Sequence, residues 1–169
     1  MFRNGLRKEP GMGRNAAAYE DDFYGWTQEQ AGLLRAGKLS EVDVENLAEE
    51  IESMGRSEAD RLRSCLRLIL LHLLKWQEQP ERRSRSWRNT IQRERDNAAL
   101  ALEENLSLAP KLPALFDKAY QLARREAVRE TDLPAERFPV DCPFTLDQTL
   151  SPDFPEGLED GWRPAQRRG

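Results

Sequence analysis

SEADRLRSCLRLILLHLLKWQEQPERRSRSWRNTIQRER, residues 57–95, is the stretch whose reading decides the fold. Its first half reads as one long helix. Leu62, Leu66, Ile69 and Leu73 recur at three- and four-residue steps, and Cys65, Ile69, His72 and Trp76 form the adjoining stripe. From Leu68 to Leu74 the chain is apolar nearly all round, the mark of a helix enclosed by others. Ser57 is placed to cap this helix, and Pro80 stops it just after Glu78. After a short connector Ser84 or Ser86 can cap a second helix that runs to about Leu106, with Trp87, Ile91, Ala98 and Leu102 facing inward. So short a connection makes the two helices antiparallel neighbours, and residues 57–106 are expected to form a central helical hairpin. Between Ile91 and Ala98 the inward position falls on Glu94 or Arg95, so a polar group near the core requires a partner.

Upstream of the hairpin, residues 1–18 show no hydrophobic period and are expected to be a flexible arm. Order is expected from Tyr19, where four aromatics lie within eight residues. Thr27 and Gln30 have capping-box spacing, and Gly37 offers a left-handed stop for a short helix. A second amphipathic helix follows, with Val44, Leu47, Ala48, Ile51 and Met54 on its inward face and Gly55 as its end. Downstream, Leu112 to about Asp132 reads as a further helix stopped by Pro134. Phe138-Pro139, Cys142-Pro143-Phe144 and Phe154-Pro155 then intersperse aromatics with proline, which predicts a mostly extended C-terminal segment. Thr145 and Gln148 cap a single helical turn within it. The fold class is therefore all-α, an antiparallel helical bundle, with a single domain over 19–156 and a disordered tail over 157–169.

A third of the residues are charged, yet the formal net charge is only -4, so no global positive excess recruits nucleic acid or an anionic membrane. The longest apolar run, Leu68 to Leu74, falls far short of the roughly 20 residues needed to cross a bilayer. The two cysteines, Cys65 and Cys142, have no metal-ligand or redox spacing, which fits a reduced, cytoplasmic protein. No phosphate-cradling loop, dinucleotide fingerprint, Gly-x-Ser-x-Gly or His-Glu-x-x-His occurs, so the common enzyme classes lack their signatures, and no cofactor is expected.

Three constellations remain. His72 is the only histidine, and Glu45, Glu49 and Glu52 share one flank of the preceding helix. A histidine facing that flank, near Arg85, Trp76 and Trp87, has the parts of a general base or a metal site. The plainer alternative is a core histidine satisfied by one hydrogen bond. Metal is not expected, since no second histidine or Glu-x-x-His spacing is present. The arginines from Arg82 to Arg95, interleaved with Trp87, form a possible grip for a polyanion. The acidic flank and the negative balance argue instead that Arg83, Arg85, Arg88 or Arg95 is answered by carboxylates within the protein, so nucleic acid is disfavoured as a partner. Nucleophilic catalysis by Cys65 is opposed by apolar surroundings that raise a thiol pKa.

DFYGWTQEQAGLLRAGKLSEVDVENLAEEIESMGRSE, LLHLLKWQEQPERRSRSWRNTI and FPVDCPFTLDQTL resemble, in order and spacing, the bacterial family catalogued as domain of unknown function twenty-nine. The resemblance covers about Tyr19 to Phe154 and implies a compact all-α protein without supplying a reaction. Its motif positions here are Asp22, Trp26, Glu45, Asn46, Glu49, Glu50, His72, Trp76, Arg85, Ser86, Trp87 and Cys142-Pro143, while Phe144 stands where a tyrosine is expected in many relatives. The expected function is non-enzymatic binding or regulation through a charged groove near the hairpin, with a protein as possible partner. The alternative is an enzyme or metal-binding protein using His72 with Glu45, Glu49 or Glu52.

Overall fold

Among the described residues, which are 19–156 and Leu158, the computed structural model contains helices and no strand. The helices are α1 (Phe23–Arg35), α2 (Val44–Glu78), α3 (Arg85–Glu104), α4 (Leu112–Thr131) and the short α5 (Leu146–Leu150), with a short 3-10 segment in each connection. The arm expected over 1–18 and the tail expected over 157–169 lie outside the described residues, except for Leu158, which is buried.

One boundary differs from the sequence reading. Gly55 and Ser57 do not end one helix and begin another; both lie inside α2, whose 35 residues stay helical from Val44 to Glu78. The central hairpin therefore consists of α2 and α3, and its first arm begins at Val44 rather than at 57. The physical reason is one of magnitude. Glycine in a helix interior costs about 1 kcal/mol relative to alanine. A break would instead leave up to four N–H and four C=O groups in need of other partners. Without proline nearby, the helix continues.

Backbone packing divides the chain into two compact units, 1–55 and 56–169. In the first, the Asp22 side chain caps α1 by accepting from the Gly25 N–H at 2.8 Å, and a side chain at Gly25 would collide with that carboxylate. Gly37, at φ 70°, closes the helix in the left-handed conformation. The turn to α2 is held by side chains. Gln30 Oε1 accepts from the Asp43 N–H at 2.9 Å, and Asp43 accepts from Trp26 Nε1 at 3.3 Å and from Asn46 Nδ2 at 2.8 Å. Tyr19 donates to Glu50, so α1 runs antiparallel to the start of α2. Gln30 is thus a bridge across the turn rather than part of a capping box.

The second unit holds the hydrophobic core. Leu62, Leu66, Ile69, Leu70, Leu73 and Leu74 of α2 pack with Ile91 and Ala98 of α3 and with Ala119, Tyr120, Ala123 and Ala127 of α4. Ser84 caps α3, its hydroxyl accepting from the Trp87 N–H. Arg61 meets Glu104 while His72 meets Trp87, so α3 runs antiparallel to α2. Arg67 meets Glu126 while Lys75 meets Glu130, so α4 runs parallel to it. The proline-rich segment is laid on this bundle. Phe138, Phe144 and Leu158 enter the core, and Thr145 with Gln148 forms a complete capping box at α5. Tyr120 donates to Pro139 O at 2.6 Å and Arg124 to Phe138 O at 2.8 Å.

Candidate functional site

The inward polar position of α3 is occupied by both Glu94 and Arg95, each buried. Arg95 is 5 % exposed and faces carbonyls, donating to Thr149 O at 2.9 Å, Phe154 O at 2.7 Å and Gln148 O at 3.4 Å, while its Nη1 has no partner. Burial without a carboxylate lowers its pKa to about 10. This guanidinium is a clamp for the C-terminal segment. Glu94 takes bonds from Arg93 Nε and Asn97 Nδ2 and neighbours Cys65. Burial, reinforced by Glu94, pushes the Cys65 thiol up to about 11, and burial raises Cys142 as well. Neither thiol has the depressed pKa of an activated nucleophile.

His72 is half-buried. Its Nδ1 lies 2.9 Å from Leu68 O, and because a carbonyl can only accept, the neutral ring carries its proton on Nδ1. The ring meets Trp87 edge-on at 6.5 Å. Desolvation lowers its pKa, with Lys75 and Arg93 acting in the same sense against the Leu68 bond and Glu130. The carboxylate whose field reaches His72 is therefore Glu130 of α4. Glu45, Glu49 and Glu52 are exposed residues of the first unit, carried on the N-terminal part of the unbroken α2. Among the described residues, no three or more His, Cys, Asp or Glu side chains are grouped to hold a metal ion.

The hairpin's other members have separate surroundings. Trp76 is buried under Arg83, whose guanidinium stacks 5.1 Å from the ring and donates Nε to Trp76 O at 2.8 Å. Trp87 is covered by Lys75 at 4.7 Å. Arg85 opens α3 as an exposed side chain. Much of the hairpin's charge is answered locally, by Glu126 on Arg67, Glu130 on Lys75 and Arg137 on Glu78. Backbone carbonyls receive Arg83 and Arg95.

Open surface lies elsewhere in this unit. Two contiguous hollows of about 550 and 530 Å³ share Leu122 and Arg125 and run along α4. Leu122 and Val128 give them an apolar floor; Arg63, Lys118, Arg124, Arg125 and Arg129 supply cations against Asp117 and Glu126. Lys118, Arg125 and Arg129 are exposed and make no ion pair among the described residues. Sequence reasoning passed over this groove, although its signal was present: Lys118, Leu122, Arg125 and Arg129 recur at steps of four, three and four, the spacing of one helix face.

The family model described as Domain of unknown function DUF29 matches residues 18–155. No curated protein and no solved structure matches the chain. Among the described residues no helix is long and apolar enough to cross a membrane.

Proposed function

The chain belongs to the DUF29 family, and from that premise we propose that it is a non-enzymatic binding protein that engages a partner protein through the charged groove beside its central hairpin. The family match is continuous from 18 to 155, which supports reading 19–156 as one functional module. The observation that carries the proposal is the unanswered charge of Lys118, Arg125 and Arg129 on the floor of Leu122 and Val128, beside a hairpin whose Arg67 and Lys75 are already paired. Such a surface suits an acidic amphipathic segment, whose carboxylates pair with arginine in bidentate fashion and whose apolar face covers the floor. A positive patch also speeds encounter with an acidic partner.

The test is fluorescence anisotropy of a labelled amphipathic peptide of Glu and Leu, titrated with the full chain at low salt. Binding is expected, weakened about tenfold by Arg125→Glu, with the melting temperature unchanged because Arg125 is exposed. Failure of the peptide to bind, or binding indifferent to Arg125→Glu, overturns the reading. Binding of a labelled oligonucleotide that Arg125→Glu abolishes, without peptide binding, would replace it with a polyanion site.

A further inference from the structure

The first unit carries a different surface. Phe23, Trp26 and Leu34 of α1 and Leu47, Ile51 and Met54 of α2 line a cavity of about 450 Å³, within the range that accommodates a ligand or the side chains of a docked helix. The helix face read from the sequence as inward is in fact open: Ile51 is 61 % exposed, Met54 69 % and Phe23 50 %. Three polar residues sit among these apolar ones: Thr27, whose hydroxyl is spent on Tyr24 O, Glu50 and Gln30. Glu50 borders the cavity and accepts from Tyr19. Gln30, 1 % exposed, spends its Oε1 on the Asp43 N–H and leaves its Nε2 without a partner. A buried amide donor left unpaired is costly, and an acceptor on a guest would relieve it.

Charge decides what kind of guest fits. Residues 19–55 hold ten carboxylates, Glu20, Asp21, Asp22, Glu29, Glu41, Asp43, Glu45, Glu49, Glu50 and Glu52, against only Arg35 and Lys38, a net charge of -8 in a chain whose total is -4. The chain's net negative charge thus resides in the stretch that holds this apolar hollow, and the remaining residues are net positive. A second copy offering the same face would bring two such fields together, and an anionic membrane would be repelled in the same way.

We propose that this acidic, apolar groove between α1 and the start of α2 is a docking site for a cationic amphipathic helix of a partner protein. The guest's apolar anchors, at helical spacing, fill the space between Trp26, Leu47 and Ile51. Its Lys or Arg residues meet Glu50 at the cavity rim within the acidic field of the unit, and the half-exposed Phe23 ring, stacked on Trp26, offers an aromatic face to a guanidinium. The two α1–α2 ridges flank the guest as helices flank one another in a three-helix layer.

The experiment uses the full chain and a labelled peptide with Leu and Trp at helical spacing and Lys elsewhere, with a Glu-for-Lys counterpart and a scrambled order as controls. The cationic peptide is expected to bind, about tenfold or more tighter than the scrambled one, and to weaken steeply as salt is raised. Ile51→Gln and Met54→Gln, both at exposed positions, are expected to weaken it about tenfold while leaving the melting temperature and the binding of the acidic peptide at the α4 groove unchanged. Arg125→Glu is expected to have no effect on the cationic peptide, so the two sites stand or fall separately. No preference for the cationic over the acidic peptide in the Arg125→Glu background, or indifference to both glutamine variants, overturns the proposal. So does a dimer in sedimentation that Ile51→Gln dissociates, since the groove would then hold a second copy.

Discussion

At the scale of single residues, the polar side chains of the interior are defined by what each has been given to bond. His72 has one carbonyl for its Nδ1 and a tryptophan for its ring, in surroundings that disfavour charge. With its folded pKa below the ordinary 6.5, the unfolded chain takes up the proton first. The contribution of a neutral His72 is therefore intact above pH 6.5. It is lost progressively as pH falls from there through the lowered folded value. Between pH 7.5 and 5.5 the melting temperature of the wild type should drop by more than that of His72→Gln, and equal slopes from parallel melts would show that His72 is not desolvated. That a polar pair would fall at Glu94 or Arg95 was legible from the gap in the α3 stripe. That Arg95 would meet carbonyls of residues 148–154 was not, because those partners lie more than fifty residues away.

At the scale of elements, caps and stops read well where local chemistry is decisive. Ser84, Thr145 with Gln148, Gly37 and the pause at Pro80 all sit where one side chain or one φ angle settles a terminus. The failure at Gly55 is equally physical, since a lone glycine lowers helix stability without ending it. Nothing lies within 4 Å of a side chain built at Gly55. Gly55→Ala should therefore stabilise the protein by about 1 kcal/mol, measured by urea denaturation. A destabilised variant would mean that the glycine serves a bend there. The helix beginning at Val44 also shows what amphipathicity alone leaves open: Ile51 and Met54 have the spacing of a core stripe, yet in this fold they face a cavity.

At the scale of the whole molecule, apolar residues divide into those that hold the fold and those left open to partners. Leu66 is fully buried in the core of the second unit, and its replacement by alanine should cost about 3 kcal/mol. Ile51→Gln, at an exposed site, should cost less than about 0.5 kcal/mol. Denaturation midpoints of the two variants provide the comparison; similar losses would place Ile51 in the folding core. Helix existence, the all-α class and the burial of the Leu62 to Trp76 stripe were determined by the sequence itself, because period and local capping act over a few residues. The family assignment was legible there too, in motifs spread from Asp22 to Leu150. Tertiary structure alone decided which carboxylate answers which cation, and which hydrophobic face stays uncovered. Both depend on groups brought together from distant parts of the chain, such as Glu126 to Arg67 and Thr149 to Arg95, whose meeting no local periodicity encodes.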